Sequence, residues 1–292
     1  MESYRMRSKL LVLGASCAFG LMALFTKLAT ASLSGGQVIL IRSLVSAIVL
    51  GFLLQLKTIS FEITNARLLW LRGLLGGSAA LCYFIALEHT TVGKAAILNN
   101  TSPLFVAIFS RFFLQERLTT DVWTALVIAF GGITLIMQPT FATIQFGDLI
   151  GLLSGALSGS AYLSVRALRK TESTWAIFLS FSLGGLLCSL PFLGGPWTSP
   201  SNFTLWCLLG MLATSWIAQL LLTYSLKFVK AAEGGTLGLA TGVFATLWGA
   251  VILHDPLTWN FAVGASLVIG GCAWITLKGG GTKGLTEISR VG

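Results

Sequence analysis

The chain has 292 residues, of which 55% are hydrophobic and only 10% are charged, and its mean hydropathy is +0.85. A soluble domain carries roughly 25% charged residues, so a soluble globule of this composition would expose large apolar patches. Nineteen Lys and Arg against ten Asp and Glu give a net charge of +9, but cations this dilute form no nucleic-acid-binding face. The composition therefore predicts a polytopic membrane protein.

One bilayer crossing takes about 20 apolar residues, and ten stretches of the chain approach that length. The first follows a short basic N-terminus, as in a secretory signal. It is longer than the roughly 7–15 apolar residues of such a signal, so we interpret it as an uncleaved span. The ten predicted spans lie near residues 10–31, 36–56, 67–88, 94–114, 120–138, 147–168, 173–194, 203–225, 232–253 and 259–277.

The cations predict the orientation of these spans. If the N-terminus is cytoplasmic, sixteen of the nineteen Lys and Arg, Arg72 among them, fall on the cytoplasmic side. The other three are Lys94 at an outer boundary and Lys27 and Arg42 within spans. Such an excess toward the cytoplasm is typical of inner-membrane proteins. We therefore expect a multi-pass protein of the cell (inner) membrane with both termini in the cytoplasm.

An internal repeat appears when the sequence is shifted by 139 residues. The shift pairs residues 114–119 with 253–258, a Gly-Gly pair with a Gly-Gly pair, and Lys27 with Arg166. Each half holds five predicted spans, so the second half enters the membrane from the opposite side, as in many secondary transporters. The predicted fold is an all-α polytopic membrane protein: ten transmembrane helices as two inverted five-helix repeats, residues 1–139 and 140–292.

The chain resembles the drug/metabolite transporter superfamily, specifically its EamA-type ten-span members. The resemblance covers nearly the whole chain and rests on the order of Lys27, Arg42, LRGLLGG (71–77), SPLFVAI (102–108), LQERLT (114–119) and GGITLIMQP (131–139). The second half departs from the first, with Gly242 in place of Pro103 and LHDPLT in place of LQERLT. The resemblance implies a metabolite exporter or exchanger in which spans 5 and 10 are peripheral. It does not fix the substrate.

Span 4 carries four polar residues, Asn99 to Ser102, directly before Pro103, and span 9 carries Thr241 and Gly242 at the repeat-related position. Polar groups in hydrocarbon require a cavity or a partner helix. Interrupted segments at corresponding positions of two halves indicate a midplane binding site. We therefore predict helix hinges at Pro103 and Gly242. Hydrogen bonds that only pack helices together are the alternative.

Eleven residues are predicted to bind substrate in a central cavity. Aromatic members could stack on a ligand or simply face lipid or the core. The two cations among them could hold a carboxylate or phosphate, or instead reach the outer headgroups or pair with Glu88. The predicted residues are Lys27, Arg42, Tyr83, Asn99, Asn100, Ser158, Tyr162, Trp216, Gln219, Thr241 and Trp248.

Nothing in the sequence favours an enzyme. There is no GxxxxGK[ST] sequence for ATP, the two His residues stand at span ends without a second ligand, and the five Cys are not paired by spacing. We expect no metal and no cofactor. The acids also lie near span ends, so a buried proton relay is not evident.

The predicted function is secondary transport by alternating access through a central cavity, with export of an amino acid or related zwitterion as the leading expectation. The alternative is an importer or exchanger of a larger anionic metabolite, such as a nucleotide derivative. From a different class, a channel-like or lipid-handling membrane protein is considered. The expected partners are a small-molecule substrate and the bilayer, without nucleic acid. A coupled proton or counter-substrate, and a monomer or homodimer, are left open.

Overall fold

The structure is a computed structural model that describes residues 2–59, 61, 63–89, 98–113, 119–137, 146–195, 197, 199–253 and 259–278. Every regular element within those ranges is helical, and a short 3₁₀ turn follows α7 at Leu190–Gly194. The helices are α1 Glu2–Ala29, α2 Gly35–Gln55, α3 Ala66–His89, α4 Ser102–Phe113, α5 Thr120–Met137, α6 Phe146–Leu168, α7 Thr174–Ser189, α8 Asn202–Ser225, α9 Ala231–Gly238, α10 Ala240–Leu253 and α11 Trp259–Lys278.

Seven helical stretches in the described ranges are long and apolar enough to cross a membrane. They are Met6–Ala29, Gly35–Gln55, Ala66–Ala86, Phe146–Leu168, Thr174–Gly194, Asn202–Ser225 and Ala231–Ile252. Thr120–Ile136 and Trp259–Trp274 are shorter apolar helices. The predictions of an all-helical fold and of a multi-pass membrane protein are therefore confirmed. The count of ten spans stays a prediction.

Serine side chains cap the N-termini of three of the helices. Ser34, Ser173 and Ser201 each accept a hydrogen bond from a backbone N–H in the first turn of α2, α7 and α8. The first-turn N–H groups have no partner within a helix, so such a cap satisfies a donor that would otherwise be left in a poorly hydrated region. These caps define where each of the three helices begins.

The helices pack in pairs that cross between the two halves of the sequence. α1 packs against α8 and α10, α6 packs against α3 and α4, and α5 packs against α11. Glycine permits the closest of these contacts: a Cβ atom on Gly77 would lie 2.7 Å from the backbone of Gly184, and one on Gly132 would lie 2.6 Å from the carbonyl oxygen of Gly264. Lipid is as apolar as the helices, so close packing of this kind stabilises the bundle.

Polar contacts fasten one end of the bundle, which we name the basic end: the end where α1 and α3 begin and α6 and α8 finish. Lys9 and Glu233 form an ion pair there at 3.9 Å, and each side chain is only 2% exposed. Arg166 Nη1 donates to the carbonyl oxygens of Leu226 and Lys227, at 2.8 and 2.7 Å. The basic end is therefore closed by contacts between α1, α6, α8 and α9.

Candidate functional site

A cavity of about 550 Å³ lies between the two halves of the bundle. Its walls come from α1, α3, α4, α6, α8, α9 and α10, with Arg42 from α2 and Phe181 from α7. It extends to Lys27 and Thr30 at the end of α1, and both of these residues are exposed. The cavity therefore reaches toward the end of the bundle opposite the basic end.

Eleven of the thirteen residues singled out from the sequence line this cavity. They come from seven different predicted spans, so the fold brings together side chains up to 215 positions apart in the chain (27 against 242). Their proposed roles in binding remain predictions. The eleven residues are Lys27, Arg42, Tyr83, Asn99, Asn100, Pro103, Ser158, Tyr162, Gln219, Thr241 and Gly242.

The two intramembrane tryptophans, Trp216 and Trp248, do not line the cavity. Trp216 donates its Nε1–H to Ser46 Oγ at 2.9 Å and packs edge-on against Phe178, with ring centroids 5.0 Å apart. Trp248 donates to the carbonyl oxygen of Cys17 at 3.3 Å. The assignment of both to the cavity wall is corrected: depth in the membrane was visible in the sequence, but the face of the helix was not.

Because Trp216 braces α8 against α2 and α7, its replacement should change stability in steps. We expect Trp216→Phe to lower the free energy of unfolding by about 1 kcal/mol through loss of one hydrogen bond. Trp216→Ala should lower it by about 3 kcal/mol through loss of the packed ring. Thermal unfolding in detergent measures both, with exposed Trp206→Ala as the control. Equal, small effects of all three variants would contradict a bracing role.

Both halves interrupt a helix at the same register position. In the first half the chain leaves helical geometry at Asn100–Thr101, and in the second half at Leu239, which is 139 residues after Asn100. At each break a backbone N–H donates a hydrogen bond to the carbonyl oxygen three residues earlier. Thr101 N–H donates to Leu98 O at 3.2 Å, and Leu239 N–H donates to Thr236 O at 3.1 Å.

The interruption in the first half follows from Pro103. Proline lacks an N–H and its ring clashes with the carbonyl four residues earlier, so the strain falls on the turn before it. The predicted hinge residue and the observed break therefore differ by one turn. The break in the second half has no proline. Gly242, which follows it, is only a weak helix former, and its N–H donates to Leu239 O at 3.1 Å.

Asn99 stands at the end of the helical turn that precedes the first break. Its Oδ1 accepts hydrogen bonds from Ser154 Oγ at 3.1 Å and Ser158 Oγ at 3.4 Å, both on α6. Gly155 lies between these serines and lets the backbone of the break approach α6 closely, because a Cβ there would lie 2.6 Å from Leu98 O. With its oxygen occupied, Asn99 can act toward the cavity through its amide N–H groups.

The cavity contains a cation, Arg72, that sequence reasoning counted on the cytoplasmic side and did not select as a binding residue. Arg72 lines the cavity and is only 5% exposed. Among the residues that the structure describes, its Nε and Nη1 atoms have no hydrogen-bond partner. The signal was present in the sequence, since Arg72 lies five residues inside the predicted span that begins at residue 67. Phe181, which was not singled out, also lines the cavity.

Charge is unevenly distributed over the cavity wall. Lys27, Arg42 and Arg72 all line it, whereas no Asp or Glu does so among the residues that the structure describes. Arg42 Nε donates to Ser215 Oγ at 2.8 Å, a neutral partner. Glu88, considered as an ion-pair partner from the sequence, has a side chain outside the described part of the chain. The wall therefore favours an anionic occupant.

Within the described ranges, no three His, Cys, Asp or Glu side chains come together in a group that could hold a metal ion. The polar atoms that reach the cavity come from guanidinium, ammonium, amide and hydroxyl groups. These groups bind ligands by charge and hydrogen bonding. The lining groups therefore suit the binding of a ligand.

Comparisons with known proteins agree with this architecture. A model of the EamA-like transporter family matches the chain twice, over residues 6–138 and 145–277. The pseudopaline exporter CntI of Pseudomonas aeruginosa is 26% identical over 268 residues, covering 90% of this chain and 93% of that protein. Human solute carrier family 35 member G1 is 28% identical over 225 residues, covering 68% of this chain and 59% of that protein. A solved crystal structure superposes with a TM-score of 0.77 at 18% identity, over 93% of this chain and 96% of that one.

Proposed function

The chain belongs to the EamA-like transporter family and is a membrane transporter of the drug/metabolite transporter superfamily; on that premise we propose that it carries a small organic anion through the central cavity. The observation that carries this proposal is the wall of the cavity, with three cations and no carboxylate among the described residues. Buried charges need a partner, and a bound anion supplies one.

The amino acid expected from the sequence is the second candidate. Its carboxylate could bind a guanidinium, but its ammonium group would need an acceptor. Gln219 provides one: its Nε2 donates to Thr223 Oγ1 at 3.3 Å, which directs the amide oxygen to other donors. A neutral oxygen binds an ammonium less strongly than a carboxylate does, so the zwitterion ranks below the anion.

We propose that the chain forms ten spans in two inverted repeats, residues 1–139 and 140–292. The two family matches begin 139 residues apart, at 6 and 145, which is the offset of the sequence repeat. The helix pairs support the same arrangement, because α1 with α8 and α6 with α3 are equivalent pairs under that offset. A two-fold axis in the membrane plane relates such repeats.

We propose that the basic end faces the cytoplasm and that the protein resides in an inner membrane, since cations concentrate on that side. In this orientation the conformation is closed to the cytoplasm by the Lys9–Glu233 pair and its cavity reaches the outer face at Lys27 and Thr30. Transport would then proceed by alternating access, and export of the anion is the direction we propose.

Proteoliposomes containing the full chain test this function. We expect saturable uptake of a radiolabelled organic anion that accelerates when unlabelled anion is present inside, because a carrier reorients faster when loaded. Arg42→Gln should reduce the uptake at least tenfold, the loss expected for a hydrogen bond to a charged group. Arg67→Gln, which removes the same charge from an exposed position, is the matched control.

Two outcomes would oppose the proposal. Conductance without saturation would indicate a channel. Uptake of amino acids with no uptake of any anion would favour the amino acid over the anion as the substrate.

A further inference from the structure

Two guanidinium groups meet at one aromatic ring inside the cavity. The Cζ atoms of Arg42 and Arg72 each lie 4.8 Å from the centroid of the Phe181 ring. The two guanidinium carbons are therefore no more than 9.6 Å apart, twice that distance. Both side chains are at least nine-tenths buried. We call these three residues the arginine pair and its ring.

The ring stabilises each cation but does not neutralise either. A guanidinium over an aromatic face gains about 0.5–2 kcal/mol, far less than the penalty for taking a charge out of water. Two like charges this close inside the bundle also repel each other. The arginine pair is thus an energetically unfavourable arrangement unless negative charge joins it.

Arg72 has hydrogen-bonding capacity that the protein does not use. Its Nε and Nη1 have no acceptor in the described part of the chain, and Arg72 lines the cavity. Arg42 is anchored at Nε by Ser215, which fixes the position of its planar head. A guanidinium presents several N–H donors in a fixed fork that matches a carboxylate or a phosphate. The unused donors point to an acceptor that arrives with the ligand.

The location of the pair suits a transported ligand. Phe181 follows Arg42 by 139 residues, so the two are equivalent positions of the repeat. Under the inverted-repeat architecture proposed above, equivalent residues can touch only near the two-fold axis, which lies at the membrane midplane. Binding at the midplane is accessible in turn from either side.

We propose that Arg42 and Arg72 together bind two negative charges of one ligand, so that the protein selects organic dianions: compounds with two carboxylates, or phosphate monoesters. The inference rests on the proposed function and narrows it from anions to dianions. Arg42 holds one charge beside Ser215, and the free Nε and Nη1 of Arg72 bind the other. The Phe181 ring keeps the two forks apart.

Matched pairs of small probes test the selectivity on the full chain in detergent at pH 8. Succinate and succinamate have nearly the same size but carry two charges and one. Methyl phosphate and methyl sulfate form a second such pair, since the second pKa of a phosphate ester is about 6. Binding is measured by titration calorimetry and by the shift of thermal unfolding. We expect a dianion to bind at least about tenfold more tightly than its matched monoanion.

Substitution of Arg72 then tests whether this residue causes the preference for dianions. Arg72→Gln should reduce the ratio of dianion to monoanion affinity to below about threefold, and Arg72→Lys should restore part of it because the charge returns without the fork. Arg67→Gln should leave the ratio unchanged. If Arg72→Gln fails to fold, Phe181→Leu provides a second test, since loss of the ring should also reduce the ratio.

Which probe pair shows the preference distinguishes paired carboxylates from a phosphate. Equal affinity of dianions and monoanions, binding of none of the four probes at millimolar concentration, or a ratio unaffected in folded Arg72→Gln would each overturn the inference. Anion uptake in the liposome assay would survive that result. The proposed function fails separately, if no anion at all is transported.

Discussion

Lys9→Met is expected to lower the free energy of unfolding by about 3–5 kcal/mol, the largest stability loss we predict for any polar substitution in this chain. The substitution removes the cation that lies 3.9 Å from Glu233, in a place where both side chains are 2% exposed. Removing one member of a buried ion pair leaves the other charge in a medium that solvates it poorly. Thermal unfolding of the purified protein in detergent measures the loss.

The double variant Lys9→Met/Glu233→Leu supplies the decisive comparison. Because an apolar pair of similar volume can replace a buried ion pair at little loss, the double variant should recover most of the stability. Arg7→Met, which removes an exposed cation from the same helix, is the control and should change little. If the double variant were as unstable as Lys9→Met alone, the contact would not be the cause.

Gly184→Ala is the apolar substitution with the largest expected effect. A Cβ at Gly184 would collide with the backbone of Gly73, where α7 crosses α3. Neither partner in this contact is a flexible side chain, so the helices themselves must separate. We expect a loss of about 3 kcal/mol, at the upper end of what overpacking usually causes, together with reduced yield of folded protein.

Gly131→Ala is the matched control for this substitution. Gly131 is also a helical glycine, in α5, but nothing lies within 4 Å of a Cβ placed there. Alanine favours the helix over glycine by up to about 1 kcal/mol, so Gly131→Ala should be neutral or stabilising. Similar losses for both variants would mean that the α3–α7 contact is looser than described.

Several residues that line the cavity could be selected from the sequence because depth in a membrane can be read from a single chain. Asn99, Asn100 and Gln219 are polar residues within apolar spans, and hydrocarbon excludes polar groups that have no partner. All three line the cavity. The same logic could not orient Trp216 or Trp248, because an indole is compatible with lipid, core and cavity alike.

A different reason explains why Arg72 was not selected as a cavity residue. The rule that cations mark the cytoplasmic side is statistical and applies to loops and span ends. A cation five residues inside a span can satisfy the same count while its side chain is buried. Only the packing of α3 against α6 and α7, which depends on contacts distant in sequence, determines that Arg72 meets Phe181 and Arg42.

The two helix breaks could be predicted only in part from the sequence. Pro103 made the first break predictable to within one turn, because the missing N–H has a local effect. In the second half the hinge was predicted at Gly242, from its position relative to Pro103 in the repeat, whereas the break lies at Leu239, where no residue forbids a helix. The position of this break, 139 residues after Asn100, matches the offset of the sequence repeat.

The absence of carboxylates from the described cavity wall also bears on what drives the transporter. A membrane potential acts on every charge that crosses, at about 2.3 kcal/mol per charge for 100 mV, which corresponds to about fiftyfold in concentration ratio. In a cell whose interior is negative, that force expels anions. A carrier that exports an anion from such a cell would therefore draw energy from the membrane voltage.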